Sequence, residues 1–299
     1  MKILLIGFGG IGRRHFQSLL TVRENIIYIY DINMAFEIPK GYEERVFKID
    51  ESFLVKNFSF DLLILATSAN VRANILSKIL PVLEIKKIII EKPVAQSIKD
   101  LDYLKDIDKK IPTFVNFPLR YYPIYEELKK MNISKDLDIS ISGGDWGMAC
   151  NIWHFLDLVS YITEGKLLNV EWHNTSWIPS KRDGFQEIQG QCEAHFSNNT
   201  NISLKSTPKK DTPVSIIIKN NNDLDVQIND DYFLYSSIKK FRKDEKVDLY
   251  QSELTYRYLE EAIKLPRVKD IYDSTLITLK SMTMLKYKKL NDELILPIT

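Results

Sequence analysis

Three short stretches of this chain have residue types and spacings that suit chemistry. The first is Lys2-Ile-Leu-Leu-Ile-Gly7-Phe8-Gly9-Gly10-Ile11-Gly12, a G-x-G-x-x-G pattern between an apolar run and a helical one. Gly7 permits a tight turn, Gly9 lets the backbone approach a pyrophosphate, and Gly12 lets the helix pack closely on the strand. The helix N-terminus adds open N–H groups and roughly half a positive charge, which suits an anion. Asp31 follows Gly12 by 19 residues, at the end of the second apolar run. A carboxylate there accepts from ribose hydroxyls and repels a 2′-phosphate. No arginine follows in Asp31-Ile32-Asn33-Met34, so the pattern predicts NAD in preference to NADP.

The second stretch is Glu91-Lys92-Pro93, behind the apolar run Ile88–Ile90. In open α/β sheets ligands bind outside the carboxyl ends of the strands. A lysine held there by a proline that stops the strand can donate to a substrate hydroxyl. The competing reading is an ordinary lysine at a strand end, and the Lys92–Pro93 bond is open between cis and trans.

The third stretch is Cys150–Tyr161. At helical period Ile152, Phe155, Leu156 and Val159 share one face, which belongs to the core. The other face carries Cys150, Asn151, His154, Asp157, Leu158 and Tyr161. It has neither Lys nor Glu, so it fits a cleft wall better than open water. His154 and Asp157 stand at i, i+3 and can meet, and a carboxylate can orient and stabilise an imidazolium. The competing reading is a structural histidine at a domain seam. His15, beside Arg13 and Arg14, reads as a capping or packing residue. His173 and His195 fall in expected strands without metal-ligand spacing. Cys150 and Cys192 stand 42 residues apart with no paired histidines, so no metal is expected.

These stretches need elements to position them. Up to about residue 117, short β-branched runs (Ile3–Ile6, Ile26–Tyr30, Leu62–Leu65, Ile88–Ile90, Thr113–Phe117) alternate with helical segments such as Ile11–Leu20 and Ile98–Ile107. The alternation predicts a doubly wound parallel sheet over residues 1–117, of the dinucleotide-binding (Rossmann) kind. Residues 118–299 read as a second, α+β domain for substrate binding and oligomerisation. Helices are expected at Ile124–Lys130 and Asn151–Tyr161. An antiparallel meander follows over Asn169–Trp177, Glu187–Ser197, Asn201–Thr207, Val214–Lys219 and Leu224–Ile228, then helices at Glu253–Lys264 and Ser274–Lys289.

Composition narrows the class. The chain has 299 residues, 41 Lys+Arg against 40 Asp+Glu, and no apolar run near the ~20 residues that span a bilayer. Balanced charge argues against a nucleic-acid partner, and two cysteines give no disulfide framework. A soluble cytoplasmic protein that meets neither membrane nor nucleic acid is expected.

Taken together and in order, these motifs resemble the glucose-fructose oxidoreductase / inositol dehydrogenase (Gfo/Idh/MocA) family over nearly the whole length. The resemblance also covers Ala66-Thr67, Val115-Asn-Phe-Pro-Leu-Arg120-Tyr-Tyr-Pro123, and Gly143-Gly-Asp-Trp-Gly followed by His154-Phe-Leu-Asp157. It implies a Rossmann domain, a large and mostly antiparallel open sheet, a homodimer or homotetramer, and a small sugar-type substrate. It implies Lys92 and His154 as the catalytic pair with Asp157 in support. The cofactor would meet Gly7, Phe8, Gly9, Gly10, Ile11, Gly12, Asp31, Ala66, Thr67, Ser68, Asn70, Glu91 and Lys92. The substrate would meet Arg120, Cys150 and Asn151.

Two positions depart from the family pattern. Cys150 stands where many members have Asp or Asn four residues before the histidine, and Asn151 is turned from it by ~100° around the helix. Arg72 stands where the family often has histidine; it would meet a phosphate of cofactor or substrate, or lie exposed. The expected activity is hydride transfer between a nicotinamide cofactor and a secondary alcohol or ketone of a sugar, polyol or nucleotide sugar. Two alternatives stay open. One is a catalytically weak dinucleotide-binding sensor or scaffold, which Cys150 favours. The other is a reductase of a non-sugar carbonyl or linear tetrapyrrole.

Overall fold

The run Lys2–Ile6 forms β1 and is buried from Ile3 onward, as a parallel strand covered on both faces should be. The computed structural model describes residues 1–54, 57–132, 137–209, 211–221, 223–247, 249–260 and 264–299. After β1 come α1 (Gly10–Leu20), β2 (Ile26–Tyr30), β3 (Val46–Lys48), β4 (Phe58–Phe60), β5 (Leu62–Leu65) and α2 (Ala69–Ile79). Then follow β6 (Leu83–Ile85), β7 (Ile88–Glu91), α3 (Ile98–Lys110) and β8 (Thr113–Asn116). In α1 the positions Gly12, His15, Phe16 and Leu19 are buried, the i, i+3, i+4, i+7 stripe of a helix lying on a sheet.

The main sheet runs β3-β2-β1-β5-β7-β8, every pair parallel. The chain winds outward from β1 to β3, returns to the other side of β1 at β5, and winds outward again. The order therefore reverses between β1 and β5, and the carboxyl ends at such a switch point are where ligands bind.

Further along are α4 (Pro123–Lys130), β9 (Leu137–Gly144), α5 (Met148–Thr163), β10 (Leu167–Pro179), β11 (Gln186–Phe196) and β12 (Asn201–Thr207). Next come β13 (Ser215–Asn220), β14 (Asp225–Asn229), β15 (Tyr232–Ser236), α6 (Gln251–Leu259) and α7 (Val268–Tyr287). The second sheet runs β10-β11-β12-β9-β13-β14-β15. It is mostly antiparallel, as expected, but it is not a simple meander. β9 lies between β12 and β13, parallel to the first and antiparallel to the second. Leu137, Ile139 and Ile141 are buried while Asp138, Ser140 and Ser142 are exposed, the period of a half-buried strand. Ile139 pairs with Ile202 and Ile218, and Ile141 with Leu204 and Ile216. Placing β9 centrally makes these apolar rows continuous on one face of the sheet, and α5 packs against β11 and β12.

The chain forms two compact units. The first comprises Met1–Ala95, Lys99–Asn116 and Tyr250–Ile271; the second comprises Gln96–Ile98, Phe117–Leu249 and Tyr272–Thr299. The sequence reading keeps all of 118–299 together, whereas Tyr250–Ile271 joins the first unit. Polar side chains explain this. Tyr258 Oη donates to Asn116 Oδ1 at 2.9 Å, and Arg267 Nε donates to the buried Asp108 carboxylate at 2.9 Å. Of the helix expected over Glu253–Lys264, residues 261–263 lie outside the described residues. In the second unit the C-terminal run is pinned by Leu296 N donating to Gln96 O and Gln186 N donating to Pro297 O. Among the described residues no helix is long and apolar enough to cross a membrane.

Candidate active site

The candidate residues fall into two groups, one in each unit. In the first unit the glycine turn joins β1 to α1. Gly7 has φ +94°, and a Cβ on it would stand 2.8 Å from the Ala66 carbonyl carbon at the end of β5. A Cβ on Gly12 would stand 2.0 Å from Gly7 O. These two glycines are therefore demanded by the protein's own backbone. Gly9 and Gly10 are different, because no atom of the described residues lies within 4 Å of the place their Cβ would take. Gly9 is the N-cap of α1, and neither a capping side chain nor an acid in the first turn engages the free N–H groups. Phe8 is buried.

Asp31 holds the turn from β2: its Oδ2 accepts from Phe8 N at 2.5 Å and its Oδ1 from Asn33 N at 2.7 Å. Each carboxylate oxygen keeps a further lone pair for a ribose hydroxyl. At the end of β5, Thr67 Oγ1 is buried and has no hydrogen-bond partner among the described residues. Ser68 is the N-cap of α2, with no side-chain capping bond, and Asn70 is exposed in the first turn of that helix. An open glycine backbone, an uncapped helix, an acid at the end of β2 and an orphaned hydroxyl at the switch point fit a dinucleotide.

Next along the sheet, β7 ends at Glu91 and the chain turns through Lys92 and Pro93, whose peptide bond is cis. Lys92 is half-buried. Glu91 is buried, and its Oε1 accepts from His15 Nε2 at 2.7 Å and Asn116 Nδ2 at 2.6 Å. Burial pushes the Glu91 carboxyl up. The His15 hydrogen bond and charge, Asn116, and the nearby Arg72 charge outweigh it and hold the group below its ordinary range. His15 Nδ1 meets Thr255 Oγ1 at 2.8 Å, so the histidine expected to cap or pack is a fully buried bridge between α1, β7 and α6. Asn116 Nδ2 also donates to Gln251 Oε1 at 2.8 Å.

Arg72 corrects the sequence reading. It neither lies exposed nor faces solvent to meet a phosphate: it is 1% exposed. Its Nη1 donates to the carbonyls of Glu91, Pro93 and, at 3.4 Å, Val94. Its Nη2 donates to Thr67 O at 2.7 Å. Burial lowers the guanidinium to about 10, against the raising influence of Glu91.

In the second unit α5 carries the other group. Its apolar face is buried at Ile152, Phe155, Leu156 and Val159, and Cys150, Asn151 and His154 are half-buried. The His154 and Phe117 rings meet edge to face, centroids 5.9 Å apart. The sequence reading pairs Asp157 with His154, but the structure gives the carboxylate to Arg120. Arg120 Nε donates to Oδ2 at 2.6 Å and Nη2 to Oδ1 at 2.5 Å, a two-point fork with both side chains largely buried. The guanidinium also lies 4.9 Å over the Tyr161 ring. Burial pushes the Asp157 carboxyl up against the pull of Arg120, and Asp157 raises Arg120 against its own burial.

The start of α5 is held by Glu187 of β11, to which sequence reasoning gave no role. Its Oε2 accepts from Ala149 N at 2.8 Å and Cys150 N at 3.3 Å. Gly147, at φ +74°, precedes the helix, and Asn151 Nδ2 donates to Trp146 O at 2.8 Å. Cys150 is half-buried and Cys192 buried, and neither is in a disulfide.

The first unit thus has the strand order, switch-point turn and open helix end of a dinucleotide-binding Rossmann domain. Residues 1–115 match the Gfo/Idh/MocA family, described as an oxidoreductase family with an NAD-binding Rossmann fold. That match makes residues 1–115 an NAD-binding Rossmann domain of this oxidoreductase family. No curated protein matches the sequence. Solved structures share the fold over most of its length. A dehydrogenase from Chromobacterium violaceum is 12% identical with TM-score 0.68, over 95% of this chain and 94% of that one. An oxidoreductase domain protein from Kribbella flavida is 14% identical with TM-score 0.67, over 96% and 97%. The UDP-N-acetylglucosamine 3-dehydrogenase of Acidithiobacillus ferrooxidans is 14% identical with TM-score 0.64, over 94% and 97%.

Proposed function

We propose that this protein is an NAD-preferring dehydrogenase or reductase acting on a CH–OH carbon of a sugar, polyol or nucleotide sugar. The observation that carries the reading is the open backbone at Gly9 and Gly10 ahead of an uncapped helix. Gly7, Phe8, Gly9, Gly10, Ile11 and Gly12 would hold the pyrophosphate, Asp31 the ribose, and Thr67 with its neighbours the switch-point side. Bound there, the nicotinamide supplies the two-electron acceptor for a hydride. The Asp31 carboxylate supports NAD over NADP, because it would repel a 2′-phosphate. The name of the UDP-N-acetylglucosamine 3-dehydrogenase keeps nucleotide sugars within the substrate class.

His154 would take the substrate hydroxyl proton, and in the reverse direction give it back. The Lys92 ammonium would donate a hydrogen bond to a substrate oxygen as alkoxide charge develops, the task a metal performs elsewhere. Arg120, aimed by Asp157, would meet the substrate with Cys150 and Asn151. Cys150 in place of an acid supports a second reading, a sensor that binds the dinucleotide without turning anything over.

The experiment is a panel of sugars, polyols and nucleotide sugars with NAD+, read by reduced-nicotinamide absorbance, beside a fluorescence titration with NADH. Turnover is expected on one class. Lys92→Met and His154→Ala should each lower it by about 10²–10⁴-fold with NADH affinity nearly unchanged. Gly9→Ala should keep the melting temperature and weaken NADH binding. Binding without turnover across the panel selects the sensor; no binding at all, or wild-type rates in both variants, rejects the proposal.

A further inference from the structure

Arg72 is the largest fully buried side chain among the described residues. A guanidinium taken out of water normally sits against a carboxylate, yet all four of its hydrogen-bond acceptors are main-chain carbonyls. Their positions are informative. Glu91 and Pro93 are the residues on either side of Lys92, Val94 is the next one, and Thr67 ends the loop after β5. The strands leading into these segments, β5 and β7, are parallel neighbours with Leu65 opposite Ile90. One rigid fork therefore ties the turn carrying the lysine to the loop at the switch point. Its Nε is buried with no hydrogen-bond partner among the described residues, so the fork is placed for the carbonyls and not for its own full satisfaction.

We infer that Arg72 is a positioning residue that fixes the Lys92 turn relative to the coenzyme loop, so that coenzyme binding and use of the lysine depend on one side chain. The inference rests on the proposed function for its Lys92 half. A planar guanidinium presents five N–H donors in a fixed geometry, and here one terminal nitrogen bonds the Lys92 turn while the other bonds the Thr67 loop. Lysine keeps the charge but concentrates its donors on one nitrogen, which cannot grip both loops with the same spacing. Glu91 contributes from the other side of the turn: its carboxylate is bonded to His15 and Asn116, so the residue preceding Lys92 is held by both its side chain and its carbonyl. Misplacing a catalytic group by ~1 Å can lower turnover by about 10²-fold. Loosening the fork should therefore affect rate more than substrate affinity.

The test compares wild type with Arg72→Lys, using whichever substrate the panel yields, and measures NADH affinity, kcat, substrate KM and melting temperature. Arg72→Lys is expected to weaken NADH binding several-fold and lower kcat by about 10–100-fold, with KM changed by much less. A second variant, Arg72→Ala, guards against poor folding of the first; added ethylguanidinium should restore part of its kcat and NADH affinity. A lower melting temperature with wild-type kcat and NADH affinity in the folded variant would mean a purely structural arginine and overturn the inference. So would an Arg72→Ala defect that ethylguanidinium leaves untouched. If wild type binds NADH but turns over nothing, the proposed function fails separately. The NADH affinity of Arg72→Lys then decides: weakened binding supports the tie, unchanged binding overturns it.

Discussion

In the first unit Glu91 shares one carboxylate oxygen between His15 and Asn116, with Arg72 close enough for its charge to be felt. In the second unit both Asp157 oxygens accept from Arg120 alone among the described residues. The first arrangement spreads a buried charge over partners from α1, β8 and α2. Thr255 and Gln251 of α6 extend it as neutral hydrogen-bonding groups. The second concentrates it in one two-body fork with an aromatic ring over the cation. A network loses strength gradually, because each remaining partner still satisfies something. A lone pair fails abruptly, because removing either member leaves the other charge buried and unanswered.

The largest effect is therefore expected at Asp157. Asp157→Asn should destabilise the protein by about 3–5 kcal/mol, the typical loss when one half of a buried pair is removed. Arg120→Met together with Asp157→Leu should recover most of that loss, since an apolar pair of similar volume fills the space without a stranded charge. Urea unfolding of Arg120→Met, Asp157→Leu and the double variant measures the coupling. If the double variant is as unstable as the sum of the singles, the two-body description is wrong.

Much of this was legible in the sequence, and what was missed has a common cause. The strands β1, β2, β5, β7 and β8, the glycine turn and the buried face of α5 follow from local period and local turn chemistry. β9 had a local signal as well, the alternation Leu137-Asp-Ile-Ser-Ile-Ser142, but its place between β12 and β13 depends on apolar rows more than 60 residues away. The same holds for the polar partners. His15 meets Glu91 across 76 positions and Thr255 across 240. Arg72 meets carbonyls, which no residue type announces. Asp157 stands one turn from His154 in sequence, and its hydrogen-bond partner is Arg120, 37 positions earlier. Helical spacing lists neighbours; it cannot rank them against a partner supplied by another element.

A smaller effect, of different shape, is expected at Glu91. Glu91→Gln keeps an oxygen to accept from Asn116 and His15 and should lower stability by about 1–3 kcal/mol, the worth of charge-assisted bonds made neutral. Its pH dependence is the sharper test. The folded-state pKa lies below the ordinary glutamate value, so the unfolded chain takes up the proton first as pH falls. The stabilisation is whole above the ordinary value and drains away as pH drops toward the depressed one. Melting curves from neutral pH down into that range should show wild type losing its advantage over Glu91→Gln. A gap that stays constant with pH would mean the carboxylate charge contributes nothing to the network.

The smallest effect is expected at Glu187, which belongs to neither arrangement. Its carboxylate sits at the N-terminus of α5 and accepts from two of the main-chain N–H groups that no helical carbonyl can reach. Part of its worth is the hydrogen bonds and part is negative charge at the positive end of the helix dipole. Glu187→Gln keeps an acceptor and loses the charge, so about 0.3–1 kcal/mol should go. Glu187→Ala loses both and should cost about 1–2 kcal/mol, as removal of a helix cap does. The order of the two variants carries the argument. If Gln and Ala are equally destabilised, the charge on the dipole is the whole effect; if Gln equals wild type, Glu187 acts as a neutral cap. In either case the change falls on the turn that presents Cys150 and Asn151. A substrate KM that rises in Glu187→Ala with kcat preserved would place that turn against the bound substrate.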